Sequence, residues 1–100
     1  MTAKLDPKLR SKQILDAALH VAERDGLHKL TRAATAEHAA VSDALVSRYY
    51  PTMPQLKRAV IRAAIKREVL PVIAAALATG DKHAKAAPDN LKTAALATLR

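Results

Sequence analysis

Apolar residues along the chain recur three and four positions apart, and nowhere do they alternate or cluster as the β-branched runs of strands do. Ile14, Ala18, Val21 and Ala22 fall on one helical face and Lys12, Asp16, Glu23 and Arg24 on the other, which predicts a first helix from just after Pro7 to about Arg24. Gly26 suits the left-handed position that ends such a helix. Thr31 is a good N-cap for a short second helix that continues from Ala33 to Ala39, with Ala36 and Ala39 facing inward. After Ala40 and Val41, Ser42 offers another capping hydroxyl and Asp43 a charge that suits the positive end of a helix dipole. A third helix therefore runs from Ser42 to about Tyr50, before Pro51.

Thr52 caps a fourth helix, with Pro54 in the first turn, where a missing N–H costs nothing. This helix is expected to be the longest, reaching about Val69, with Leu56, Val60, Ala63 and Ala64 on one apolar stripe and Ile61, Ile65 and Val69 on another. Arg58, Arg62 and Lys66 form a charged strip between the stripes. Pro71 forces a bend or a new start, and Val72 to Ala78 follow as an almost wholly apolar helical segment that needs burial. Gly80 to Ala87 reads as a polar, Ala-rich connector, and Pro88 can open a last helix with Leu91, Ala95 and Leu99 on one side. The expected fold class is all-α, divided into residues 1–70 and a short helical segment, residues 71–100.

Charge narrows the choice of partner. Seventeen Lys and Arg against nine Asp and Glu give a formal charge of +8 and a pI near 10.2, which suits a polyanion. Residues 1–70 carry +6 of that excess and residues 71–100 only +2, so the positive field belongs to the front section. With no cysteine, disulfides, thiolate zinc sites and cysteine nucleophiles are excluded together. The N-terminal MTAKLDPKLRSKQ has no signal-peptide apolar run, and no stretch approaches the roughly 20 apolar residues that span a bilayer. The expectation is a soluble cytoplasmic protein. At 100 residues, with an apolar content dominated by small side chains, a monomer has little area to bury, and a dimer is attractive.

Two short helices joined by a turn of about three residues, behind a longer one, form the layout in which the last of three helices enters a major groove. Ordinary helical bundles also contain such pairs. Residue by residue, the run ILDAALHVAERDGLHKLTRAATAEHAAVSDALVSRYYPTMPQLKRAV resembles the headpiece of TetR/AcrR-type transcriptional regulators. The resemblance is carried by Ile14, Leu15, Ala17, Ala18, Gly26, Thr31, Ala36, Ala39, Val41, Ser42, Tyr49, Tyr50 and Leu56. It implies a homeodomain-like, three-helix helix-turn-helix headpiece, extended here by a long fourth helix and short C-terminal dimerisation helices. Four positions depart from the family pattern. Ala40 replaces the turn glycine, at a cost of roughly 1 kcal/mol if the backbone there is left-handed, so the turn is expected to differ slightly. Thr35 replaces a common Ile, Ser47 a groove-lining Tyr, and Met53 a phosphate-binding Lys whose place Lys57 or Arg58 can take.

By that resemblance Ser42, Asp43, Ala44, Ser47 and Arg48 are the candidate base readers. Arg48 can pair bidentately with guanine, or stand as a solvated surface arginine; Asp43 and Ser42 serve better as helix-start groups than as readers. Thr31, Arg32, Tyr49, Thr52 and Lys57 are candidate phosphate contacts near helix starts or the groove rim. Tyr50 fits the core better than the interface. Lys4, Lys8, Arg10 and Lys12 can follow the backbone or a minor groove, or belong to a disordered terminus.

His20, His28, His38 and His83 show no metal-ligand spacing, and no nucleophile elbow, phosphate-binding glycine loop or His-Glu-x-x-His run is present, so no metal, cofactor or enzymatic activity is expected. About 30 residues follow the fourth helix, too few to enclose a ligand pocket of typical volume, so no small-molecule inducer is expected and the tail is assigned to a homodimer. The expected function is a dimeric repressor that reads a palindromic operator in double-stranded DNA. A protein-interaction module using the apolar tail is the rival, and a steep loss of DNA affinity with salt separates the two. An anionic membrane suits the basic helices less well, because large interfacial aromatics are scarce.

Overall fold

Each helix of the front half opens on a side chain that accepts from its own first turn. Asp6 accepts from the Lys8 N–H at 2.8 Å at the start of α1 (Pro7–Asp25). Thr31 opens α2 (Arg32–Ala39), Ser42 opens α3 (Asp43–Tyr49) and Thr52 opens α4 (Met53–Arg67). The α4 cap is reciprocal, with the Gln55 N–H donating to Thr52 Oγ1 at 3.3 Å and the Thr52 N–H donating to Gln55 Oε1 at 3.2 Å. Such caps satisfy donors that a first turn leaves without partners, and each is worth about 1 kcal/mol. A 3₁₀ turn, Leu27–Lys29, joins α1 to α2, and α5 (Leu70–Ala78), α6 (Lys82–Lys85) and α7 (Asp89–Ala97) follow α4. The structure, a computed structural model, describes residues 6–99, and among these every regular element is helical. The all-α expectation holds.

Three helices end in one way. After α2 the Val41 N–H donates to the Ala36 carbonyl at 3.0 Å, after α4 the Val69 N–H to the Ala64 carbonyl at 2.8 Å, and after α5 the Asp81 N–H to the Ala76 carbonyl at 3.1 Å. This closure requires a positive φ at the residue in between. Gly80 supplies it after α5 with φ 77°, whereas Ala40 and Glu68 adopt it with φ 58° and a Cβ in place. The α2–α3 turn is therefore left-handed at Ala40, which carries the side-chain strain that glycine would avoid. Glu68 likewise stops α4 at Arg67, two residues short of the expected Val69. Gly26 has φ 102° and ψ 144°, outside the left-handed helical well expected for it but in a region open essentially to glycine alone. A Cβ there would also stand 2.8 Å from Cε1 of His28.

The connector between α5 and α7 contains a turn of helix that the pattern did not show. Asp81 Oδ1 accepts from the N–H groups of His83 and Ala84 at 2.8 and 3.0 Å and so nucleates α6. The last helix stops at Ala97, before Leu99, which is exposed together with Leu96 instead of joining Ala95 in the core.

Helix α1 packs on α2 and α4, α2 on α3, α4 on α5, and α5 on α7. Ile14, Val21, Val46, Leu56, Val60, Val72 and Ile73 are the large fully buried side chains, and one continuous apolar cluster joins them. The apolar segment Val72–Ala78 is thus largely consumed within its own chain, through Val72, Ile73, Ala74 and Ala76. Thr35, in the place of an aliphatic residue, is fully buried, and its hydroxyl donates to the Thr31 carbonyl at 2.9 Å, which removes most of the cost of burying it. The body measures 48 × 22 × 20 Å, two helix layers thick for helices about 10–12 Å across.

Candidate nucleic-acid interface

Helix α3 faces the core with Val46, fully buried, flanked by the half-buried Leu45 and Tyr49. Opposite it, Asp43, Ala44 and Arg48 are exposed and Ser47 is half-buried, while Ala44 and Arg48 stand four residues apart on one outward face. Ser42 Oγ accepts from the Leu45 N–H at 3.1 Å, so Ser42 caps α3 while remaining exposed. Of the five candidate base readers, Ala44, Ser47 and Arg48 share the outward side of α3 with Asp43 at its edge, while Ser42 lies before the helix as its cap. Among the described residues no carboxylate pairs with Arg48. Asp43, in the first turn of α3, is the only acidic residue of that helix.

Two helix starts meet beside it. Arg32, at the start of α2, donates from a terminal guanidinium nitrogen to the Pro51 carbonyl at 3.2 Å, and Thr52 follows at the start of α4. Thr31 Oγ1 accepts from the Ala34 N–H at 3.0 Å. The capping lone pairs of Thr31 and Thr52 are thus committed within the chain, while their O–H groups and the first backbone N–H groups remain as donors suited to an anion. Arg32 is half-buried, its Nε without a partner among the described residues, so it also braces α2 against the α3–α4 loop. Tyr49 is half-buried and packs against the core. Lys57 departs from the group. With Arg58 it lines a cleft on the side of α4 that faces α5, away from the brace between Arg32 and Pro51.

Other residues hold α3 in place without touching its outward face. The Tyr50 hydroxyl lies 3.2 Å from Ser11 Oγ and also reaches the Ser11 carbonyl at 3.4 Å, so this aromatic is a polar tie from α3 to α1 as well as a core side chain. Gln13 Nε2 donates to the Ala39 carbonyl at 3.2 Å while Gln13 Oε1 accepts from Arg10 at 2.9 Å. Arg10 is therefore engaged in this relay, Lys8 and Lys12 are exposed, and Lys4 lies outside the described residues. The threonine and glutamine three apart at Thr52 and Gln55 are a capping signature open to reading in the sequence; no comparable signal marks Gln13.

The cleft between headpiece and tail holds about 640 Å³. Pro54, Lys57, Arg58 and Ile61 of α4 form one wall, Ala75, Ala78 and Thr79 another, and Leu27, His28 and Asp81 complete it. It is an open cleft and not an enclosed pocket, and six of its ten lining residues come from the headpiece. Among the described residues no three His, Asp or Glu side chains gather as a metal cluster; His20 and His38 instead stack, ring centroids 4.4 Å apart, across the α1–α2 contact. No described helix is long and apolar enough to cross a membrane.

Neither curated proteins nor solved structures give a significant match to the chain. A family match is found over residues 14–60, to the model described as bacterial regulatory proteins, tetR family. The matched stretch begins at the first core residue of α1, contains α2, the left-handed turn and α3, and ends at Val60 in the middle of α4. Residues 14–60 of this chain are therefore similar to the helix-turn-helix region of bacterial regulatory proteins of the tetR family, and three short helices follow α4.

Proposed function

We propose that the protein is a dimeric repressor that reads a palindromic operator in the bacterial cytoplasm, with the outward face of α3 in the major groove. The observation that carries this reading is the placement of Arg48 beside Ala44 on an exposed face, with Val46, Leu45 and Tyr49 anchoring the opposite side. Arg48 reads guanine through its paired donors, Ser47 and Ala44 set what fits beside it, and Ser42 and Asp43 chiefly hold the helix start. Thr31, Arg32, Tyr49 and Thr52 contact phosphate around the two adjoining helix starts, whereas Lys57, which lines the cleft toward α5, contributes only to the overall positive field.

The dimer uses the α7 end of the chain, where Leu96 and Leu99 are 51% and 61% exposed, whereas Leu9 of α1, 56% exposed, stands by itself. A two-fold pairing there sets two copies of α3 over half-sites about 34 Å apart, one turn of duplex. Selection of bound duplexes from a random pool tests the reading. The expected outcome is an enriched palindrome whose preference relaxes at one base pair per half with Arg48→Ala, a loss of about 1–3 kcal/mol of discrimination. Binding that stays unselective, and unchanged by that substitution, removes the operator-reading role. The affinity is also expected to fall steeply between low and moderate salt, as phosphate neutralisation requires.

A further inference from the structure

The cleft between α4 and α5 combines an apolar floor with positive charge along its α4 side. Leu27 and Ile61, both nearly fully buried, lie at its base, and Ala75 and Ala78 continue the apolar surface along α5. Pro54, Lys57, Arg58 and Ile61 recur three and four apart, so they share one face of α4, with the two cations near the end of the helix where its dipole is positive. His28 adds a third nitrogen base on the rim, its ring held over Gly26. Across the cleft the polarity reverses. Thr79 caps the carbonyl end of α5, and Asp81 is the one carboxylate of the lining, its Oδ1 already accepting two N–H groups of α6. The volume, about 640 Å³, falls within the roughly 300–1,000 Å³ of sites that hold drug-sized ligands.

We infer that this cleft binds an amphipathic monocarboxylate, its carboxylate against Lys57 and Arg58 and its apolar body over Leu27, Ile61, Ala75 and Ala78. A neutral apolar molecule leaves both cations without a counter-charge. A dianion meets Asp81 and the α5 carbonyl end as well as the cations. One negative charge at one end of an apolar body of about 10–15 non-hydrogen atoms matches the gradient and the half-open space. The assignment does not depend on DNA, and its test is made without DNA.

The probes are naphthaleneacetate and its neutral counterpart, 2-(1-naphthyl)ethanol, titrated calorimetrically into the full chain. The acid is expected to bind saturably and about tenfold more tightly than the alcohol, and Lys57→Gln with Arg58→Gln to erase that difference while leaving the alcohol unchanged. Ala78 is exposed on the α5 wall, so Ala78→Trp fills the cleft without entering the core, and it supplies the sole tryptophan of the chain. It is expected to weaken both probes at least tenfold with helix content unchanged by circular dichroism. Equal affinity for acid and alcohol, absence of saturable binding to millimolar concentration, or binding indifferent to Ala78→Trp overturns the assignment. So does conversion of an oligomer to monomer by Ala78→Trp in sedimentation, which makes the cleft an interface between copies.

Discussion

Helices α1 to α4 each begin at a polar side chain that accepts from the first turn, whereas α5 begins at Val69 and α7 at Pro88 with no side-chain cap. The tail compensates by burial: α5 is short, yet Val72, Ile73, Ala74 and Ala76 are all at or below 1% exposure. In the headpiece the polar chemistry fixes where each helix starts, and with it the direction in which α3 points. In the tail α5 is held chiefly because its side chains have nowhere else to go, and polar chemistry enters only at its far end, where Asp81 closes α5 and caps α6. The difference teaches that positional accuracy is concentrated in the half that, in the proposed reading, meets a rigid duplex, while α5 mainly supplies hydrophobic stability.

The strongest way to break that contrast is to open a cavity in the tail. Ile73→Ala removes a fully buried side chain where α5 packs, and is expected to cost about 2–5 kcal/mol. Small domains are stable by only about 5–15 kcal/mol, so the urea midpoint followed by circular dichroism is expected to fall sharply for the whole chain, headpiece included. A headpiece that keeps its own unfolding midpoint in Ile73→Ala shows that the two parts are separate units. The next largest effect is expected at a cap: Thr52→Ala costs about 1 kcal/mol and Thr52→Ser much less, because only the first removes the acceptor for the Gln55 N–H. DNA affinity is expected to fall further in Thr52→Ala than stability alone accounts for, since α4 starts beside the Arg32 brace.

The same contrast governs what could be read from the sequence. The caps are single residues of restricted type at the edge of a periodic pattern, so Thr31, Ser42 and Thr52, and with them the outward face of α3, were legible before any coordinates. Contacts that depend on which helices become neighbours were not: the reach of Gln13 to the Ala39 carbonyl, and the seat of Lys57 in a cleft shared with α5, arise from the crossing of α1 over α2 and the fold-back of the tail. Asp81 could have marked α6, since it is a capping type, but the following residues lack the apolar period that normally confirms a helix. Glu68 was hidden for the opposite reason. Its neighbours continue the helical pattern through Val69, and only the turn into α5 forces the backbone to positive φ.

Ala40 and Glu68 sharpen the comparison because both hold φ 58° and ψ 44°, one inside the headpiece and one at its border with the tail. Ala40→Gly and Glu68→Gly are each expected to stabilise the chain by about 0.5–1 kcal/mol, the relief of a side chain in the left-handed region less the added freedom of glycine when unfolded. Equal gains are expected from identical backbone geometry. A gain at Glu68 alone means that the headpiece turn relaxes its strain in solution.

The smallest expected effect concerns the ion pair that ties the end of α4 to α1. Arg67 and Asp16 approach to 2.7 Å, with side chains 41% and 44% exposed, so water and salt screen most of their attraction. Their coupling in a double-mutant cycle is expected to be below about 1 kcal/mol and to shrink in concentrated salt. Arg67→Ala is expected to cost more than Asp16→Ala, because Arg67 also stands in the last turn of α4, where a positive charge gains about 0.3–1 kcal/mol from the helix dipole whether or not its partner is present. Equal single losses, both equal to the coupling, indicate that the pair itself anchors the junction just before Glu68. Polar contacts that fix geometry would then extend beyond the caps to the border of the tail.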